Sequence, residues 1–205
     1  EKHTMQNVIL LIGFLNKAKY VVQIWNRPGN ASSGNNIIGF FDTAYNRVKE
    51  VIRVKGVIAD SGFYLYKFIN HLEELKIKYI IAARLSEPLQ NKIWGMKGWE
   101  KIDEGIEIDG FTYQPQDWKK ERRYIVIRQD ITKREKPTGK QLKLPAIYLE
   151  TKGYRYSVWI TNSGDEAKDL WSECKMRGND ENTIKELKED FALGGFSLKY
   201  FYATE

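Results

Sequence analysis

The sequence predicts an α/β protein, a mixed sheet with helices on its faces and a β-rich insertion ahead of the last helix. Three observations carry this. Residues 8–15 (VILLIGFL) and 20–25 (YVVQIW) are β-rich apolar runs on either side of a polar tetrapeptide, which suits an antiparallel hairpin. From there to Ala83, helical periodicity alternates with short apolar runs, the order of parallel crossovers. Past Ser86 the composition turns to glycines, aromatics and β-formers, and it turns back to a helical pattern only after residue 161.

The elements follow in order. Both hairpin strands are expected to be mostly buried, and Arg27-Pro28-Gly29-Asn30 stops the second. Asn35 or Asn36 is placed to cap a helix whose apolar residues Ile37, Phe40, Phe41, Ala44, Tyr45 and Val48 recur at helical steps. A strand over 54–59 ends at Asp60, Ser61-Gly62 turns the chain into a helix over 65–75, and a strand over 79–83 follows. A strand is expected over 123–128, another over 154–161, and a helix over 165–191. The domain reading is a first part of the core at 1–85, a β-rich insertion at 86–151, and a return strand and helix at 152–205 that complete the core.

Composition narrows the function. With 42% apolar and 13% aromatic residues in 205, the chain has material for a core, which excludes disorder. A single cysteine, Cys174, excludes a disulfide scaffold or a multi-cysteine zinc site and suits the cytoplasm. The apolar runs fall short of the roughly 18 residues of a membrane span. His3 and His71 are given no metal role. Because the chain opens on Glu1 and reaches its first motif without an approach segment, it is expected to be cut from a longer protein.

The net charge of +6 is unevenly spread, for residues 119–143 hold ten basic residues against three acidic ones. Lys119, Lys120, Arg122 and Arg123 are therefore expected on an exposed basic hairpin gripping a polyanion, with Trp118 at its foot as a stacking surface. The competing reading is a solvated hairpin face, with the tryptophan in a core.

Two places could do chemistry. Asp60 sits where a strand of an α/β sheet ends, the edge at which ligands and catalytic groups gather; its plainer reading is a turn or helix cap. On the last helix, at about 100° per residue with Arg177 as zero, Glu181 lies near 40°, Lys188 near 20° and Cys174 near 60°. Ile184, Leu187 and Phe191 fall between about −20° and −80°. The charged face thus borders the apolar stripe, whereas a solvated salt-bridge ladder would more usually oppose it.

These residues resemble a family. Asp60-Ser61-Gly62-Phe63 after a strand, then a helix and residues 79–84 (YIIAAR), is similar to the second catalytic block of bacterial insertion-sequence transposases with an RNase H-like DDE core. Arg177-x3-Glu181-x6-Lys188 is similar to the Tyr-x2-Arg-x3-Glu-x6-Lys signature on the helix of their third acidic residue. Arg27-x-Gly29-Asn30 and Thr161-Asn162 look like further landmarks, and the likeness covers essentially the whole chain, insertion included.

The resemblance implies carboxylates that hold two divalent ions, Mg²⁺ or Mn²⁺, for in-line attack on a DNA phosphodiester. Asp60 and Glu181 would be catalytic and metal-ligating, and Arg177 and Lys188 would hold DNA phosphate. The implied partners are double-stranded DNA, as transposon terminal inverted repeats and target, and a second copy assembled on DNA, in a bacterial nucleoid-associated setting with no membrane. The first acidic residue would lie upstream of Glu1, so this piece is expected to be inactive alone. Cys174 stands where the signature has Tyr, and Cys174→Tyr is expected to raise DNA-end affinity or activity with little change in melting temperature. Gly178-Asn179-Asp180 places poor helix formers before Glu181. A non-catalytic DNA-binding remnant and another RNase H-like nuclease are the alternatives.

Overall fold

The computed structural model describes residues 8–15, 20–28, 34–132, 149–151 and 153–175. It divides into two units, Lys55–Ser172 and a second made of Glu1–Val54 with Glu173–Glu205.

In the latter, β1 (Val8–Leu15) pairs antiparallel with β2 (Tyr20–Pro28), and the register shifts between Gly13 and Phe14. Helix α1 (Ile37–Val48) buries Ile37, Phe40 and Phe41, the stripe its periodicity predicts. The Phe40 ring meets Trp25 of β2 edge-on at 5.5 Å, and Arg47 Nη1 donates to the Val22 carbonyl at 3.0 Å and to Gln23 Oε1 at 2.9 Å. One apolar and one polar contact hold α1 on the hairpin. Asn36 is the N-cap residue, but in a left-handed conformation (φ 52°) with no side-chain cap bond. Its side chain lies over Gly39 instead, where a Cβ would come within 2.5 Å of Asn36 Oδ1.

Two expectations for the hairpin need correction. On β2, Tyr20, Val21 and Ile24 are exposed while Gln23 is buried, because Arg47 satisfies the Gln23 amide from α1. Among the described residues β1 and β2 pair only with each other and not within the larger sheet.

The unit Lys55–Ser172 contains β3 (Gly56–Ala59), a 3-10 turn (Ser61–Phe63), α2 (Tyr66–Glu74), β4 (Lys78–Ala82) and α3 (Glu87–Trp94). Strands β5 (Glu100–Asp103), β6 (Ile106–Tyr113), β7 (Arg122–Asp130), β8 (Leu149–Thr151) and β9 (Tyr154–Thr161) follow. One sheet takes the order β3-β4-β9-β7-β6-β5, with β8 also paired to β9. Only β3 and β4 run parallel, joined by α2; the other pairings are antiparallel. The β-rich stretch expected at 86–151 thus contributes strands to the same sheet as β3 and β4, joined through β9.

Four successive residues of β4, Tyr79 to Ala82, are buried; since side chains alternate between faces, both faces are covered there. Helix α2 packs Phe68, Ile69 and Leu72 into this core and α3 packs Leu89 and Ile93, all at most 1% exposed. Thr161 and Asn162 finish β9: Asn162 Oδ1 accepts from the Tyr79 amide at 2.9 Å, and its Nδ2 donates to the Ile77 carbonyl at 3.0 Å. A side-chain amide thus continues the backbone ladder past the strand's end.

Of the expected last helix, 167–175 is helical with Leu170 and Cys174 buried one turn apart, and 176–191 lies outside the described residues. No helix among the described residues is long and apolar enough to cross a membrane.

Candidate functional site

Asp60 follows β3 directly, at the carboxyl end of the parallel pair. Its backbone is extended (φ −80°, ψ 178°), and its Oδ1 accepts from the Gly62 amide at 2.8 Å, capping the 3-10 turn. The cap reading and the ligand reading are compatible, since the cap takes one oxygen and the side chain is exposed. Beside it, two residues past β4, exposed Arg84 directs its Nε to the Ser61 carbonyl at 3.1 Å. This bond ties the two strand ends together and places a guanidinium one residue from Asp60. Sequence reasoning quoted Arg84 only as part of a motif; its position at the end of the neighbouring parallel strand was the available signal.

Below this edge, the face under α2 carries a buried ionic cluster that centres on Glu73. Arg122 Nε donates to Glu73 Oε1 at 2.8 Å and Nη2 to Oε2 at 3.1 Å, while Lys120 Nζ lies 2.5 Å from Oε2. The Tyr79 hydroxyl donates to Oε1 at 2.9 Å, and Arg122 Nη2 also donates to Asn70 Oδ1. Burial alone would raise the Glu73 carboxyl, but the bonds from Arg122, Lys120 and Tyr79 outweigh it and hold the group below the usual carboxylate range. Burial and the bond to Glu73 push the Tyr79 phenol up. The Arg122 guanidinium lies 5.0 Å from the Trp118 ring and 5.5 Å from that of Tyr66. Trp118 also packs on Tyr64 at 5.1 Å, and Tyr64 shares a 2.7 Å hydroxyl contact with Tyr124.

This corrects the exposed basic hairpin. Strand β7 is interior, with β6 on one side and β9 on the other, and Arg122 is 5% exposed, its charge taken by Glu73. Arg123 is half-buried and its Nη1 donates to the carbonyls of Ser163 (2.9 Å) and Asp165 (2.7 Å). Trp118 is half-buried in an aromatic cluster, the core reading set against it. Lys120 is exposed but paired with Glu73, and Lys119 is exposed. Residues 133–148, the other half of the hairpin, lie outside the described residues, as do Arg177, Glu181 and Lys188.

The model for the family described as "Transposase DDE domain group 1" matches residues 11–205, nearly the full length of the chain. The chain belongs to the DDE transposases. No curated protein matches it as a relative. In a DDE transposase, an aspartate closing the first of two parallel strands is the place for a catalytic carboxylate. The mixed α/β sheet agrees with the RNase H-like core expected of that family. Among the described residues no three His, Cys, Asp or Glu side chains gather into a metal-sized group, so Asp60 offers a single ligand there. Its exposed carboxylate is the hard oxygen donor a divalent ion such as Mg²⁺ prefers.

Proposed function

We propose that this transposase cleaves transposon-end DNA and joins it to target DNA, with Asp60 and Glu181 as two of its acidic metal ligands. The observation that supports this best is Asp60 itself, exposed at the carboxyl end of β3 with only Oδ1 engaged by its own turn. Two bound divalent ions would supply activation of the attacking hydroxyl and stabilisation of the leaving oxygen. The chain's own part is to hold and orient. Capping fixes the Asp60 side chain, and Arg84 braces the turn through Ser61 while its remaining N–H groups face the same edge, where they suit a DNA phosphate. Arg177 and Lys188, one and two turns from Glu181 on a helix, would hold further phosphates. DNA containing the element's inverted repeats and a second transposase copy are the partners this reading requires.

Excision of the element in cells tests it. Asp60→Asn and Glu181→Gln should each cut excision at least about a hundredfold, since several kcal/mol of transition-state stabilisation are lost with a ligand. Excision at the unmodified rate with Asp60→Asn, the protein being present at normal levels, would overturn the assignment.

A further inference from the structure

Helix α3 leaves the β4 end that bears Arg84, and its far end carries a feature that neither core packing nor the proposed chemistry uses. Trp94 is 55% exposed, whereas the other described tryptophans, Trp25, Trp99, Trp118, Trp159 and Trp171, are half-buried. The preceding residue, Ile93, is 1% exposed, so α3 is anchored through Leu89 and Ile93. At about 100° further round, Trp94 is turned off that anchor. An exposed indole is a poor outcome for folding and a good one for binding.

Its surroundings select the ligand. Asn91, Lys92, Gly95, Lys97 and Gly98 are exposed around it, and no acidic residue occurs from Pro88 to Trp99. The two glycines leave the indole faces uncrowded, and the two lysines supply positive charge on either side of it in sequence. An apolar protein partner would not need the lysines, and a simple phosphate site would not need the indole. A nucleic acid strand uses both, with a base on the ring and flanking phosphates on the ammonium groups. The eight residues of α3 span about 12 Å, three to four nucleotide steps, so the tip lies within reach of DNA held at the β4 end.

We propose that Trp94, with Lys92 and Lys97, is a DNA-contacting site in which the indole stacks on an unpaired or strand-end base beside the cleavage site. This rests on the transposase reading, which supplies DNA as the substrate.

The test uses the 205-residue chain and fluorescein-labelled 20-nucleotide single strands and blunt duplexes, followed by anisotropy over a salt series. Trp94→Ala should weaken single-strand binding at least about fivefold, with a smaller effect on the blunt duplex. Trp94→Tyr should restore most of the affinity, and the melting temperature should not move. Lys92→Glu with Lys97→Glu should lower the duplex slope of log affinity against log salt by about 1.8. Unchanged single-strand affinity in Trp94→Ala, while the parent chain binds DNA, overturns the Trp94 site and leaves the transposase reading standing. A change in self-association without a change in DNA affinity also overturns it, assigning the tip to protein contact. If the parent chain binds no DNA at low salt, the DNA-cleaving reading fails along with the site.

Discussion

Glu73 receives bonds from Arg122, Lys120 and Tyr79, and the strongest residue-level consequences follow from it. Its neutral replacement Glu73→Gln leaves the Arg122 guanidinium, whose side chain is 3% exposed, without its counter-charge. Breaking a buried pair in this way costs about 3 kcal/mol, which urea denaturation would register as a lower midpoint. The pH dependence has a definite sign. A folded carboxyl held below the usual range stabilises fully above that range, and the contribution is lost as pH falls through it. Below about pH 5, the unmodified protein should therefore lose stability more steeply than Glu73→Gln.

Cys174 gives a second prediction, opposite to the one its place in the signature suggested. At 6% exposure it is a buried residue, and a tyrosine there must displace packed neighbours. Cys174→Tyr should lower stability by about 1–3 kcal/mol, read as a fall in melting temperature. The helical angle placed it correctly beside the apolar stripe, but angle alone does not report how deeply a residue is covered.

Among the elements, α2 does the most for its length. It connects the two parallel strands, follows the Asp60 turn, and buries Phe68, Ile69 and Leu72 completely. Phe68 also meets Phe63 of the 3-10 turn at 5.6 Å, so its ring packs against the segment that Asp60 caps. Phe68→Ala should cost about 3–5 kcal/mol in denaturant titrations. The bounds of α1, α2, β4 and β9 were readable to within a residue or two, because each has an apolar period that local geometry enforces. For β7 the apolar run Tyr124 to Ile127 was legible, but its neighbours were not. A run covered on both faces signals an interior strand, and the adjacent arginines drew attention from that signal.

Across the chain as a whole, electrostatics has to be recounted by position. The excess positive charge at 119–143 is real in sequence, yet in the described part Arg122, Arg123 and Arg128 are spent on Glu73, on carbonyls and on Glu107. Lys119 is exposed and remains the candidate from this group for a DNA phosphate. Lys119→Glu should then lower the salt slope of DNA binding by about 0.9, whereas the same reversal at Arg122 should unfold the protein before it reports on DNA.

The amino-acid order was sufficient for the family and for Asp60, because a short strand, a turn and an acidic residue at their junction are contiguous and need no distant partner to be recognised. The signature Arg177-x3-Glu181-x6-Lys188 was legible for the same reason, through spacing on one helix. Which charges face water could not be read that way. Glu73 and Arg122 are 49 positions apart, and Tyr79 meets Asn162 across 83. Such pairings follow from which strands lie side by side. In this chain β9 inserts between β4 and β7, setting Arg122 beneath α2 and leaving Arg84 and Trp94 exposed on the segment that follows β4.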